Sequence, residues 1–89
     1  MSEQEIDDLL LVAHKKSMKN QKGVMASEIC GCFYCLKTFV PTKIEEWAVE
    51  SGGEKTPLCP SCGIDSVLGG SQGFPITEEF LKKMQSRFF

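Results

Sequence analysis

Two cysteine pairs, Cys32-x-x-Cys35 and Cys59-x-x-Cys62, constrain this chain more than any other feature of its sequence. A two-residue gap lets the backbone turn so that both sulfurs of a pair face one point. Two such turns complete the tetrahedral shell that zinc accepts. The 23 residues between the pairs slightly exceed the usual interval but are readily spanned by a hairpin. Gly63, directly after the second pair, suits the left-handed conformation that closes such a turn. Leu36 stands at the matching place after the first pair, so the two halves read as inequivalent. Cys32, Cys35, Cys59 and Cys62 are therefore the expected ligands of one structural Zn2+. Four cysteines leave no coordination position for water or substrate, which separates this pattern from catalytic zinc.

Other readings of the thiols explain less. Cysteines that bind nothing would leave two matched pairs as an accident, and a thioredoxin-like dithiol needs a βαβ pattern that these 89 residues do not supply. Cys30 is the odd thiol. It could compete with Cys32, but its gap of four residues to Cys35 is less regular, so it reads as a small apolar filler.

A chain this short hides a modest share of its surface and needs a staple. At 42% hydrophobic and 25% charged residues it has the composition of a folded soluble domain. Its start, MSEQEIDD, is acidic and lacks the basic opening of a secretory signal, so a reducing cytoplasm is the expected compartment and metal the expected staple. The longest apolar run, residues 9–13, falls far short of the roughly 20 residues of a membrane helix. Net charge is −2, and a divalent ion on four thiolates would bring it to about −4. That balance disfavours indiscriminate DNA binding, although Lys15, Lys16, Lys19 and Lys22 form a local basic stretch.

The periodicity predicts an amphipathic helix over residues 1–20, with Ile6, Leu9, Leu10, Ala13 and Met18 on one face. Residues 21–29 read as a linker. The zinc unit occupies residues 30–68: a first knuckle, an extended Thr38-Phe39-Val40, and a hairpin over residues 46–58 turning at Gly52-Gly53. Thr42 with Glu45 also fits a capping box, the competing signal in this stretch. Pro57 belongs at a strand edge or end because it cannot donate to a ladder. Residues 64–68 after the second knuckle predict a short helix begun by Asp65 or Ser66 and stopped by Gly69-Gly70. A C-terminal helix over residues 76–88 is capped by Thr77, with Ile76 stapled to Leu81 and Ile76, Phe80, Met84 and Phe88 forming one stripe. The expected architecture is one small α+β domain, a zinc-ribbon or treble-clef-like unit of two knuckles and a hairpin flanked by two helices.

The stretches CGCFYCLKTFVPTKIEEW and CPSCGIDSVLGGSQGFPITEEFLKKM resemble a family of small bacterial proteins with a CPxCGIDS signature, over residues 14–89. That resemblance implies a zinc-ribbon or treble-clef unit and brings no activity with it. The treble clef is also similar to the metal-binding frame of HNH-type nucleases, but the histidine and asparagine expected between the knuckles are missing.

For function, the leading reading is a non-catalytic adaptor with a protein partner, bound through a helix face or through Phe33 and Tyr34 of the first knuckle. The alternative is nucleic-acid binding through Lys15, Lys16, Lys19, Lys22, Lys37 and Lys43. Third comes a degenerate HNH-type or His14-based enzyme. His14, the only histidine, has no catalytic partner placed beside it by the sequence, so a structural role is the simpler reading.

Overall fold

A computed structural model describes residues 2–89. Among them the chain forms three α-helices and five short strands: α1 (Glu3–Lys15), α2 (Gln21–Met25), β1 (Cys30–Cys32), β2 (Thr38–Phe39), β3 (Trp47–Val49), β4 (Lys55–Pro57), β5 (Val67–Gly69) and α3 (Glu78–Phe88). β1 is the centre of an antiparallel sheet ordered β2-β1-β5, and β3 pairs with β4 as a separate hairpin. The chain is a small α+β protein with small antiparallel sheets.

Alternation along β1 divides the interior in two. Cys30 and Cys32 face one side, where they pack with Val24, Ile44, Cys59 and Val67. Gly31 faces the other. A Cβ on Gly31 would lie 2.9 Å from both Ile76 Cγ2 and Leu81 Cδ1, so the missing side chain is what lets the start of α3 rest on the sheet. Over that face lies a second cluster that joins Leu10 and Ala13 of α1 with Phe80, Leu81 and Met84 of α3, together with Phe33, Leu68 and Phe74.

Local signals account for both long helices. The Ser2 hydroxyl accepts the Glu5 N–H at 3.2 Å, and the Thr77 hydroxyl accepts the Phe80 N–H at 3.2 Å. Glu78 and Glu79 then sit in the first turn of α3, where the helix dipole favours acid. Along the seam between α1 and α3, Arg87 Nε donates to Asp7 Oδ1 at 3.0 Å and the His14 ring stacks on Phe88 at 4.1 Å.

Three sequence expectations are corrected. The first helix does not continue to residue 20; it ends at Lys15, and Met18 is exposed. Long-range bonds cause the break: the Lys19 N–H donates to Thr56 Oγ1 at 2.8 Å, and Asn20 Nδ2 donates to the Val67 carbonyl at 3.0 Å. With its N–H so held, Lys19 turns into the left-handed region at φ 55°. The expected linker likewise contains α2, whose Val24 is fully buried. Residues 64–68 are not helical: they run as a loop into β5, because Val67, Leu68 and Gly69 pair with Cys32, Gly31 and Cys30. The helix start that a treble clef places at its second knuckle is therefore absent here. The hairpin competes successfully with the Thr42–Glu45 box, leaving only a 3-10 turn at Pro41–Lys43 with no side-chain cap. Pro57 ends β4 opposite Trp47.

Candidate metal centre

Each knuckle begins at the end of a strand or hairpin arm and folds back by the same backbone pattern. In the first, the Leu36 N–H donates to the Cys32 carbonyl at 2.9 Å, the Cys32 N–H to the Lys37 carbonyl at 3.0 Å, and the Tyr34 N–H to the Cys32 sulfur at 3.3 Å. In the second, Gly63 donates to the Cys59 carbonyl at 2.9 Å, Cys59 to the Ile64 carbonyl at 2.9 Å, and Ser61 to the Cys59 sulfur at 3.4 Å. The halves are equivalent in backbone despite their different residues: Leu36 takes φ 66° where Gly63 takes 79°. Turn geometry overrides residue preference at Leu36, at a conformational cost of about 1–2 kcal/mol.

Gly63 therefore permits a direct measurement of that cost. A Cβ placed there meets nothing within 4 Å, so substitution brings strain without a clash. Gly63→Ala should lower the stability of the metal-loaded protein by about 1 kcal/mol in denaturant unfolding at fixed free metal. A change near zero would show that the second knuckle relaxes away from the left-handed conformation.

The two turns bring four sulfurs together. Sγ atoms of Cys32, Cys35, Cys59 and Cys62 all lie within 4.8 Å of one another, with 3.7 Å between Cys32 and Cys62 and 3.7 Å between Cys35 and Cys59. A disulfide needs about 2.05 Å, far shorter than either separation. A tetrahedral ion with sulfur bonds of about 2.3 Å has edges of about 3.8 Å, which these separations approach. The donor set suits a soft tetrahedral ion and not the oxygen-seeking magnesium or calcium. These four residues, the ones that the two cysteine spacings select, could hold a metal ion.

The surroundings of the sulfurs differ. Cys32 is fully buried, and burial pushes its thiol up to about 12, partly opposed by the Ser66 hydroxyl and the backbone N–H groups of Cys35 and Tyr34. At Cys59 burial also acts to raise the thiol. Backbone N–H groups of Cys62 and Ser61, with the Cys35 and Cys62 thiols, outweigh it and leave Cys59 below the ordinary range.

Ser66 is the residue that sequence reasoning misplaced. Its buried hydroxyl lies 3.1 Å from the Cys32 sulfur, where against a thiolate it is the donor, and it caps no helix. Asp65 beside it is exposed and caps no helix either. Only the β1–β5 register, which pairs Cys32 with Val67, carries Ser66 to the sulfur, and no local motif announces that pairing.

Cys30 lies outside the cluster: it is buried beside Val24, its sulfur 3.7 Å from the Val24 carbonyl, and burial pushes its thiol up to about 11. Phe33 is 2% exposed and belongs to the core between sheet and helices, so it presents no recognition surface. Tyr34 is 45% exposed, and its ring meets Phe89 edge-on at 4.9 Å. Gln85 Nε2 donates to the Tyr34 carbonyl at 2.7 Å and ties α3 to the knuckle. His14 packs against Phe88, which places it at a helix seam. Among the lysines singled out, Lys19 and Lys22 share a hollow with Lys55, whereas Lys37 follows the first knuckle and Lys43 ends the 3-10 turn. No helix is long and apolar enough to cross a membrane among the described residues. Compared with protein-family models, with curated proteins and with solved structures, the chain matches none.

Proposed function

We propose that the chain is a small zinc-ribbon module, related to the bacterial CPxCGIDS proteins it resembles, and that it serves as a non-catalytic adaptor for a protein partner. The four-sulfur cluster, two of its six edges at 3.7 Å, is the observation that carries the zinc reading, since four thiolates suit a tetrahedron and leave no ligand position for chemistry. Tetrahedral sulfur sites also suit iron, so the metal is to be identified by elemental analysis of protein purified without added metal. One zinc per chain is the expected result, and iron or substoichiometric metal would overturn it.

Support for the adaptor role comes from the exposed aromatic pair Tyr34 and Phe89, 45% and 59% accessible, next to the first knuckle. Aromatic side chains of this kind supply large contact area with few torsions to freeze, and they are enriched at protein interfaces. The test is a tagged pull-down from the native host with nuclease-treated and untreated lysates. A protein retained after nuclease and lost with Tyr34→Ala or Phe89→Ala supports the adaptor. Capture that vanishes on nuclease treatment replaces it with nucleic-acid binding.

A further inference from the structure

Away from the sulfurs, a hollow of about 540 Å³ opens between the α1–α2 corner and the tip of the β3–β4 hairpin. Its size falls within the range of small-molecule sites, about 300–1,000 Å³. Lys19 and Lys22 line one wall, Lys55 the other, and Glu54 is the lone carboxylate among the lining residues. None of the three ammonium groups is ion-paired among the described residues. A chain of net charge −2 thus keeps a local excess of positive charge in one concavity.

Two further observations give the hollow the character of a built site. Its walls are joined by the bond from the Lys19 N–H to the fully buried Thr56 hydroxyl at 2.8 Å, which fixes the spacing of the lysines on either side. Asn20, another lining residue, is only 7% exposed, and its amide is oriented by donation from Nδ2 to the Val67 carbonyl and, at 3.1 Å, to Gln72 Oε1. That orientation leaves Asn20 Oδ1 buried without a donor. That oxygen is closed to solvent, so Asn20 serves the hollow by anchoring the corner that carries Lys19 and Lys22, and not by meeting a ligand. The hairpin side is bare: Gly52 and Gly53, at φ 83° and 80°, put no side chain over the opening.

We propose that this hollow binds a small phosphorylated compound, its phosphate between Lys19, Lys22 and Lys55. Ammonium groups on opposite walls suit an anion with oxygens on several sides, and the hollow has room for more than the phosphate.

The experiment follows backbone amide resonances of the metal-loaded protein during titration with ribose 5-phosphate, with inorganic phosphate, and with a short single-stranded oligonucleotide, at constant ionic strength. Expected are saturable shifts confined to residues 19–23, 52–55 and Gln72, with ribose 5-phosphate binding more tightly than inorganic phosphate. The variant K19Q/K22Q/K55Q changes exposed residues only, and its unchanged spectrum without ligand shows that it folds. It should raise the dissociation constant on the order of tenfold or more. Shifts that never saturate, or equal shifts at Lys15, Lys37 and Lys43, overturn the site. Equal binding of the two small ligands overturns the part of the proposal that reaches beyond the phosphate, and tight binding of the oligonucleotide alone replaces a small-molecule site with a nucleic-acid surface. Because the protein used retains its metal, a negative result is distinct from failure of the zinc reading.

Discussion

Cys32→Ser is expected to lose the metal and, with it, the cooperative unfolding transition, whereas Cys30→Ala, only two positions away, should keep both. The contrast follows from where the two sulfurs lie. Cys32 contributes one corner of the sulfur cluster, 3.7 Å from the Cys62 sulfur, while Cys30 points to the same side of β1 but toward Val24. Serine is a poor replacement for a thiolate at such a corner. Metal binding in a small domain is folding free energy, with structural zinc worth about 10–16 kcal/mol in finger peptides, more than the whole stability of many domains. The same loss is expected for serine at Cys35, Cys59 and Cys62. Cys30→Ala removes one buried sulfur from between α2 and the sheet, a cavity cost of about 1 kcal/mol, and should leave stoichiometry at one metal per chain. Elemental analysis together with thermal unfolding reads both outcomes. Metal retained by Cys32→Ser but lost from Cys30→Ala would transfer the first ligand to Cys30 and rearrange the knuckle around Phe33.

The elements legible in the sequence are those whose causes lie within a few residues. The cysteine pairs turn on a two-residue gap, Thr77 caps α3 through a bond three residues long, and Gly52-Gly53 close the hairpin with their own dihedrals. The end of α1 has no such local cause. No glycine or proline interrupts residues 15–20, and the helix is stopped by Thr56 and Val67, 37 and 47 residues away from the groups they bind. Nor is the fate of Asp65 and Ser66 local. Both residue types start helices readily, yet the register that pairs Val67 with Cys32 takes the chain into a strand and turns Ser66 into a hydroxyl donor for a sulfur. Leu36 is misleading for the opposite reason, since an unsuitable residue accepts the left-handed turn because the knuckle has no other way to close. The candidate ligands could thus be named from spacing, while the group that modulates them could be found only from the sheet.

Acid should release the metal over a narrow pH range, with an apparent affinity that falls by about a thousandfold to ten-thousandfold for each unit below neutral pH. Thiols are bound as thiolates, and an unperturbed cysteine ionises near 8.5. In the metal-free protein burial raises Cys32 to about 12, so at neutral pH this ligand is protonated and must give up its proton to the incoming ion. Four ligands together displace three to four protons, which is the origin of the slope. The sign differs between the two forms. With metal, the effective ligand ionisation lies below that of the unfolded chain, so stability is present at and above neutral pH and is lost as pH falls. Without metal, the raised thiols of Cys32 and Cys30 oppose ionisation in the folded state. Whatever structure persists is then weakened as pH rises from about 8.5 toward 11 and 12, because the unfolded thiols ionise first. Chelator competition between pH 7.5 and 5.5 measures the first effect, and far-ultraviolet circular dichroism of the metal-free chain between pH 7 and 10, read as residual structure, measures the second. A slope of one proton per ion would mean that most ligands are already thiolates before the metal arrives. The buried environment of Cys32 and the shared tetrahedron could not then both be right.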